Sequence, residues 1–519
     1  MSPRTVAVLG GGPGGAYVAL LLQMKNPQMI VTLYEEFPAQ ATFGFGVGLS
    51  TSTQKSLGHS DPKTFEMIAK SSYQGHGAHL FASSGSVRFG GNSQTAIARA
   101  DLLEILYTRA KEAGVDLRFG ERVSIEDLDA EVIIAADGVS SRTRTERAEE
   151  FGANVELGRQ MYLWCGTDFP LPDALFAPAE TEHGLFTTHA YPYREDRSTF
   201  LVETDPVTWR AAGFDATAGT LERGESDQVA IDYLKKTFEK QLQGHPLLGN
   251  NTRWTQFRNV KCTTWHHGRI ALLGDAAHTA HYSVGSGTKL AMEDAISLAT
   301  ALTEEARVEE AFVRYEEERR PSVERLQYLA ERSQFWWESY TRRLDFTPAQ
   351  MMLSFLTRAG NTSLDAFASR EPDVFRDAMS AYAERDVDEI AGGTPLAQWV
   401  FDQPFSHGTV RTDSRLTDLD ESDWQSGTVE IDIEDPWGTA ADALVETVKA
   451  RSADGAPLIT LTGPPTRPAL LERLDIAERI RLELGIPVRV AAPYTFTDDL
   501  AAGLASFRTD LICFDTRRI

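Results

Sequence analysis

Thr5-Val6-Ala7-Val8-Leu9-Gly10-Gly11-Gly12-Pro13-Gly14-Gly15 decides how the chain is built. Residues 5–9 are apolar or β-branched and predict a short buried strand, and the apolar run Ala16 to Met24 predicts a helix. Between them lies GxGxxG. Gly10 permits the tight turn, Gly12 lets the backbone approach a pyrophosphate, and Gly15 lets helix and strand pack closely. The helix start adds free N–H groups and a positive dipole end. Gly10, Gly12, Pro13, Gly14 and Gly15 are therefore candidate cofactor-binding residues. A second strand, Ile30 to Tyr34, ends in Glu35, 20 residues beyond Gly15. A carboxylate at that distance holds the ribose hydroxyls of an adenine dinucleotide. Glu36 is the rival, but Glu35 shares the alternating register of Val31 and Leu33. A Gly-rich turn with only a structural role would leave Glu35 unexplained.

Two later segments repeat the pattern of an apolar strand ending in a turn with Asp and Gly. One is Val132-Ile133-Ile134-Ala135-Ala136-Asp137-Gly138-Val139-Ser140-Ser141-Arg142-Thr143-Arg144. The other is Arg269-Ile270-Ala271-Leu272-Leu273-Gly274-Asp275-Ala276-Ala277-His278. With GxGxxG, a DGxxS segment and a GD segment running into a helix, in that order over roughly residues 1–340, the sequence resembles the class A flavoprotein aromatic hydroxylases. These are the para-hydroxybenzoate hydroxylase group. The resemblance implies FAD as cofactor, NADH or NADPH as co-substrate and O₂ as oxidant. One oxygen atom passes from a flavin C4a-hydroperoxide to an electron-rich ring. It also implies Asp275 at the ribityl chain, Arg99 of Ile97-Ala98-Arg99-Ala100-Asp101 on the flavin side, and Asp137 shared between FAD and NAD(P)H. A surface arginine at a helix start remains the alternative for Arg99.

Most members of that group carry Pro-Pro after the GD segment. Here the two positions are His281 and Tyr282, followed by Ser283-Val284-Gly285-Ser286-Gly287-Thr288. This variant is similar to a narrower branch of salicyloyl-CoA, anthraniloyl-CoA and tryptophan-derived substrate hydroxylases. So are Phe43-Gly44-Phe45-Gly46-Val47-Gly48-Leu49, Trp164-Cys165-Gly166-Thr167, His189-Ala190-Tyr191 and Thr199-Phe200-Leu201-Val202-Glu203. The resemblance implies that Gly46, Val47, Gly285, Gly287 and Thr288 lie along the cofactor. His281, Tyr282 and His189 are the catalytic candidates. An imidazole takes a proton from a substrate hydroxyl or ammonium, and a phenol anchors a carbonyl. The alternative is that His281 only bonds within its loop and Tyr282 only packs. The implied substrate is a small aromatic molecule, either an aryl-CoA thioester or a free aromatic or indole-derived compound.

The chain has 519 residues, 42% apolar and 24% charged, with a formal net charge of −24. Length predicts roughly two to four domains. The acidic excess argues against nucleic acid as a partner. Three scattered cysteines, Cys165, Cys262 and Cys513, form no CxxC, and an odd, sparse count fits a reducing cytoplasm. No run approaches the ~18 apolar residues of a membrane span, no signal peptide is expected, and no metal site is expected. A flavin halogenase needs WxWxIP and a disulfide reductase needs a cysteine pair; neither is present. A non-catalytic FAD-binding module remains the alternative of another class.

The expected fold is α/β (α+β). A Rossmann-like FAD-binding domain spans 1–160 and 262–345, and a β-sheet substrate domain is inserted at 161–261. Within the insert, Leu185–Tyr193 and Ser198–Glu203 predict a hairpin. A helical segment and linker follow at 346–427, with 391–427 as the linker. Phe335-Trp336-Trp337, just before, reads as packing. Alternating strand-like and helix-like runs at 428–519 predict a small parallel βα domain. That tail resembles the end of an old-yellow-enzyme-like barrel, but a whole barrel takes roughly 250 residues. A remnant without FMN is expected, in a monomer or homodimer.

Overall fold

The computed structural model describes residues 3–39, 41, 44–222, 224–387, 394–418, 428–433, 435–453 and 457–515. Phe43, and residues 391–393 and 419–427 of the expected linker, lie outside them. The chain forms two compact units, Met1–His79 with Arg88–Gln334, and Leu80–Val87 with Phe335–Ile519.

The first unit is built on a six-stranded sheet. Its order is His266–His267, Ile270–Leu272, Val132–Ala135, Thr5–Leu9, Ile30–Glu35, Asp116–Phe119, and only the outermost pair is antiparallel. From Thr5–Leu9 the chain passes to one neighbour, Ile30–Glu35, and later returns to the other, Val132–Ala135. The carboxyl end of Thr5–Leu9 is thus the topological switch point, where open parallel sheets bind ligands. Helix Pro13–Lys25 packs between helices Arg99–Ala113 and Gly287–Glu304, which explains why it is apolar all round. Gly14 makes this possible: a Cβ there would come within 2.6 Å of Leu273 and 3.0 Å of Ala291.

The second sheet of this unit has nine strands. Its backbone is the meander Ala153–Thr167, Arg197–Thr204, Gly184–Arg194, Ala174–Thr181. The expected hairpin is present as Gly184–Arg194 and Arg197–Thr204. Tyr73–Ala82, Gly85–Ala98 and Gly46–Gly48 extend the sheet at one side. Residues 161–261 also contain helices. Pro206–Ala211 starts where Asp205 accepts the Val207 and Thr208 N–H groups, and Gln228–Thr237 starts where Asp227 accepts from Ala230. These are Asp N-caps, and Pro206 stands at the first helical position.

The chain enters the second unit along helix Val308–Glu338. Trp336, Trp337, Tyr340 and Phe355 pack with ring centroids 5.0–5.8 Å apart. The expected linker is ordered over much of its length. Leu396–Phe401 is a helix with Trp399, Val400 and Phe401 buried, and Phe405–His407 pairs with Val410–Thr412. Four apolar residues at helical spacing outweigh the polar composition around them. The tail forms a four-stranded parallel sheet, Thr428–Glu430, Ile459–Thr462, Val488–Ala492, Leu511–Phe514, in chain order. Each βα unit moves to the next neighbour, the winding of a barrel segment rather than of a doubly wound sheet.

Candidate functional site

At the switch point, Gly10 turns with φ +101°, and a Cβ there would overlap the Ala136 carbonyl. A Cβ on Gly15 would overlap the Gly10 carbonyl. Gly12 caps the helix and has open space where a Cβ would stand, with nothing within 4 Å. Pro13 holds the first helical position. The Glu35 oxygens accept the Gly11 N–H at 2.6 Å and the Phe37 N–H at 2.9 Å. A carboxylate has capacity for about four such bonds, so both oxygens still have lone pairs for ribose hydroxyls. Glu36 instead pairs with Arg122 at 3.6 Å. Gly10, Gly12, Glu35, Arg99 and Asp137 line one cleft of about 540 Å³. Its empty space above a helix N-terminus fits a pyrophosphate, and its carboxylate and cation fit the rest of FAD.

Arg99 opens helix Arg99–Ala113, and its N–H donates to the Phe45 carbonyl, just before Gly46–Gly48. That strand sets Gly46 and Val47 beside Ala98 and Ile97. Part of the Arg99 side chain remains open to the cleft, yet crowding desolvates the guanidinium and lowers its pKa, opposed by Asp275, Tyr107 and Glu35. Burial raises the Asp275 pKa, and His278, Arg99 and Arg144 pull it back. Behind this turn His278 Nε2 meets the Asp294 carboxylate at 2.8 Å, and Asp294 accepts the Gly274 N–H. Gly285 turns with φ +62°, and Gly287 and Thr288 form the first turn of helix Gly287–Glu304.

Two residues with no assigned role in the sequence hold these pieces together. The Arg144 guanidinium donates to the Asp275, Ala276 and Val139 carbonyls, joining the DG turn to the GD turn. Tyr107 donates to the Gly11 carbonyl at 2.6 Å. Arg144 carries a sequence signal, its fixed place after Asp137-Gly138. Tyr107 carries none, since it becomes relevant only when its helix packs on the Gly-rich turn. Asp137 accepts the Thr143 N–H at 3.2 Å.

His281 and Tyr282 enter a 3₁₀ turn against one face of the antiparallel sheet. Register places Tyr162 opposite Glu203 and Glu203 opposite Thr187, so Glu203 shares that face with His189. The Tyr282 hydroxyl donates to Glu203 Oε1, and His189 Nε2 lies 3.7 Å from the same oxygen. The Tyr282 ring sits 5.0 Å from Tyr162 and 6.1 Å from His189. Burial pushes the Tyr162 phenol up to about 12, with Asp275 adding to the rise. His281 is buried; its Nδ1 accepts from Ser283, and its ring lies 4.0 Å from that of Tyr282. Glu203 is the residue that sequence reading missed. A lone acid in the run Thr199–Thr204 becomes conspicuous only once the register buries it.

A switch-point cleft lined for a dinucleotide, in one unit with an aromatic-faced antiparallel sheet, defines the class of flavin-dependent monooxygenases. The chain belongs to the FAD binding domain family, whose model matches residues 4–330. It is 36% identical to salicyloyl-CoA 5-hydroxylase of Streptomyces sp over 98% of this chain and 99% of that protein. It is 34% identical to 3-hydroxy-4-methyl-anthranilyl-[aryl-carrier protein] 5-monooxygenase of Streptosporangium sibiricum, over 69% and 95% of the two chains. In fold it matches 2-methyl-3-hydroxypyridine-5-carboxylic acid oxygenase, with TM-score 0.53 and 20% identity over 69% of this chain and 96% of that one. Among the described residues no helix is long and apolar enough to cross a membrane.

Proposed function

We propose that this monooxygenase hydroxylates an electron-rich aromatic ring carried as a CoA thioester, with salicyloyl-CoA the first candidate and anthraniloyl-CoA the second. The carrying observation is that the similarity to salicyloyl-CoA 5-hydroxylase runs the full length of both chains, including the C-terminal unit. Similarity to the aryl-carrier-protein enzyme covers only 69% of this chain. NADH or NADPH supplies the electrons. When bound, FAD activates O₂ and delivers one oxygen atom to the ring.

This chain's own groups bind, orient and exclude. The Gly10–Gly15 turn and Glu35 hold the adenosine and pyrophosphate, with Tyr107 supporting the turn. Arg99, Asp275 and the Gly285–Thr288 segment hold the flavin side, and Gly46 and Val47 border it. His189, Tyr282 and Glu203 face the substrate ring. His281 buttresses Tyr282. The aromatic sheet face keeps water from the reacting atoms. We divide the chain as an FAD domain at 1–160 and 262–345, a substrate sheet at 161–261, a helical segment at 346–427 and a barrel remnant at 428–519 that needs no FMN. Three buried free cysteines fit a reducing compartment.

The test is a screen of aryl-CoA thioesters against free acids and indoles, scored by the mass gain of one oxygen and by NAD(P)H oxidation. Salicyloyl-CoA should give both signals. Oxidation stimulated only by free acids or indoles would remove the thioester reading. No stimulation by any aromatic would favour a non-catalytic flavoprotein.

A further inference from the structure

The donor sense of one hydrogen bond decides what Tyr282 offers to a ligand. A phenol has one proton, and two lone pairs remain on its oxygen once that proton is given away. In Tyr282 the proton goes to Glu203 Oε1. Glu203 is 2% exposed and lies in the interior run of its strand. A buried carboxylate is retained only with donors around it. Tyr282 is one, and His189, whose Nε2 stands 3.7 Å from the same oxygen, is near enough to share the charge. Phe176 and Tyr162 wall the cluster with rings 5.4 Å from His189 and 5.0 Å from Tyr282. Such walls lower the local dielectric and strengthen the bonds inside.

We infer that Glu203 is a specificity-determining positioning residue: by taking the proton of Tyr282 it leaves that phenolic oxygen facing the substrate as an acceptor. The site then selects rings that carry a hydrogen-bond donor, a hydroxyl or an amine. It disfavours rings whose oxygen can only accept. A ring ether in the same place would set two acceptor oxygens against each other, with no proton between them and no water to supply one. The sense is opposite to that of a phenol anchoring a substrate carbonyl. The inference rests on the proposed substrate class and adds which ring substituent that class must carry.

The experiment titrates FAD-loaded enzyme with salicyloyl-CoA, anthraniloyl-CoA and 2-methoxybenzoyl-CoA, and reads Kd from the shift in flavin absorbance. Wild type should bind the two donor-bearing thioesters about tenfold or more tighter than the ether, the usual scale for an unsatisfied buried acceptor. Glu203→Leu frees the Tyr282 proton, and the ratio should fall to within about threefold. Glu203→Gln, whose amide can give or take, should fall between the two. A Glu203 with a purely structural role would weaken all three ligands alike and leave the ratio standing. An unchanged ratio in Glu203→Leu, or equal binding by wild type, overturns the inference. If Glu203→Leu fails to hold FAD, Tyr282→Phe decides in its place, again by whether the ratio collapses. If wild type responds to no thioester, the thioester reading is what has failed. Salicylate against 2-methoxybenzoate then carries the same comparison.

Discussion

Single side chains divide into those whose work is local and those whose work is set by distant partners. Glu35 is of the first kind. It stands at a strand end, 20 residues after Gly15, and bonds Gly11 and Phe37, so the sequence alone was enough to single it out. Charge-assisted bonds of this type are worth about 1.5–3 kcal/mol each. Glu35→Ala should therefore weaken FAD affinity by about tenfold or more, measured by the return of flavin fluorescence on dissociation. An apoprotein that rebinds FAD as tightly as wild type would remove Glu35 from the site. Tyr282 and Glu203 are of the second kind, 79 residues apart and joined only through the fold. Spacing marked Tyr282 as unusual without revealing its partner, and Glu203 was not legible at all. Tyr282→Phe should keep FAD but uncouple the reaction, with NAD(P)H consumption continuing while H₂O₂ replaces hydroxylated product. Coupling equal to wild type would make Tyr282 a packing residue.

Secondary-structure elements were legible where one periodicity ran without interruption. The Thr5–Leu9 strand, the Gly184–Thr204 hairpin and the C-terminal βα units fall within a few residues of expectation. Tyr73–Ala82 and Gly85–Ala98 were not foreseen, because polar and glycine residues break their alternation and only the neighbouring strands define their role. The glycine turn between strand and helix separates folding from binding. Gly15 has no room for a methyl group, whereas Gly12 has open space. Gly15→Ala should lower Tm and reduce soluble yield, since an overlap of this kind typically costs about 1–3 kcal/mol or more. Gly12→Ala should leave Tm of the apoprotein nearly unchanged and weaken FAD binding, because the added methyl stands where the pyrophosphate approaches. Calorimetry of both apoproteins, followed by FAD titration, checks the pair. Equal loss of Tm in both would show that the turn discriminates between backbone and ligand less sharply than its geometry implies.

For the whole chain, the division into two units bears on what can be removed. Within the second unit Arg343 is 1% exposed and bonds Glu478 at 2.9 Å, and Arg508 donates to the Thr357 carbonyl at 3.0 Å. Ending the chain at Ser414 strips both partners and leaves a buried charge uncompensated, a cost of several kcal/mol. The truncated protein should lose solubility, while its soluble fraction keeps the visible flavin spectrum and stays reducible. A colourless soluble fraction would show that the tail supports the cofactor site. Net charge is the other property of the whole chain. At −24 it repels an anionic thioester, and the screening length shrinks from ~30 Å at 0.01 M salt to ~8 Å at 0.15 M. kcat/KM for salicyloyl-CoA should rise over that range. This expectation is falsified if the value falls, which would point to a local basic landing site.

Gly46 and Gly166 give the substrate sheet a history as well as a shape. A Cβ on Gly46 would lie 2.5 Å from the Tyr193 ring, and one on Gly166 would overlap Phe45. Each glycine is the hollow for one aromatic, and neither member of a pair can change alone without a clash or a void. Inheritance should therefore treat them as couples. Lineages that enlarge either glycine should have shrunk its aromatic in the same or a neighbouring step, leaving paired substitutions at 46 with 193 and at 45 with 166.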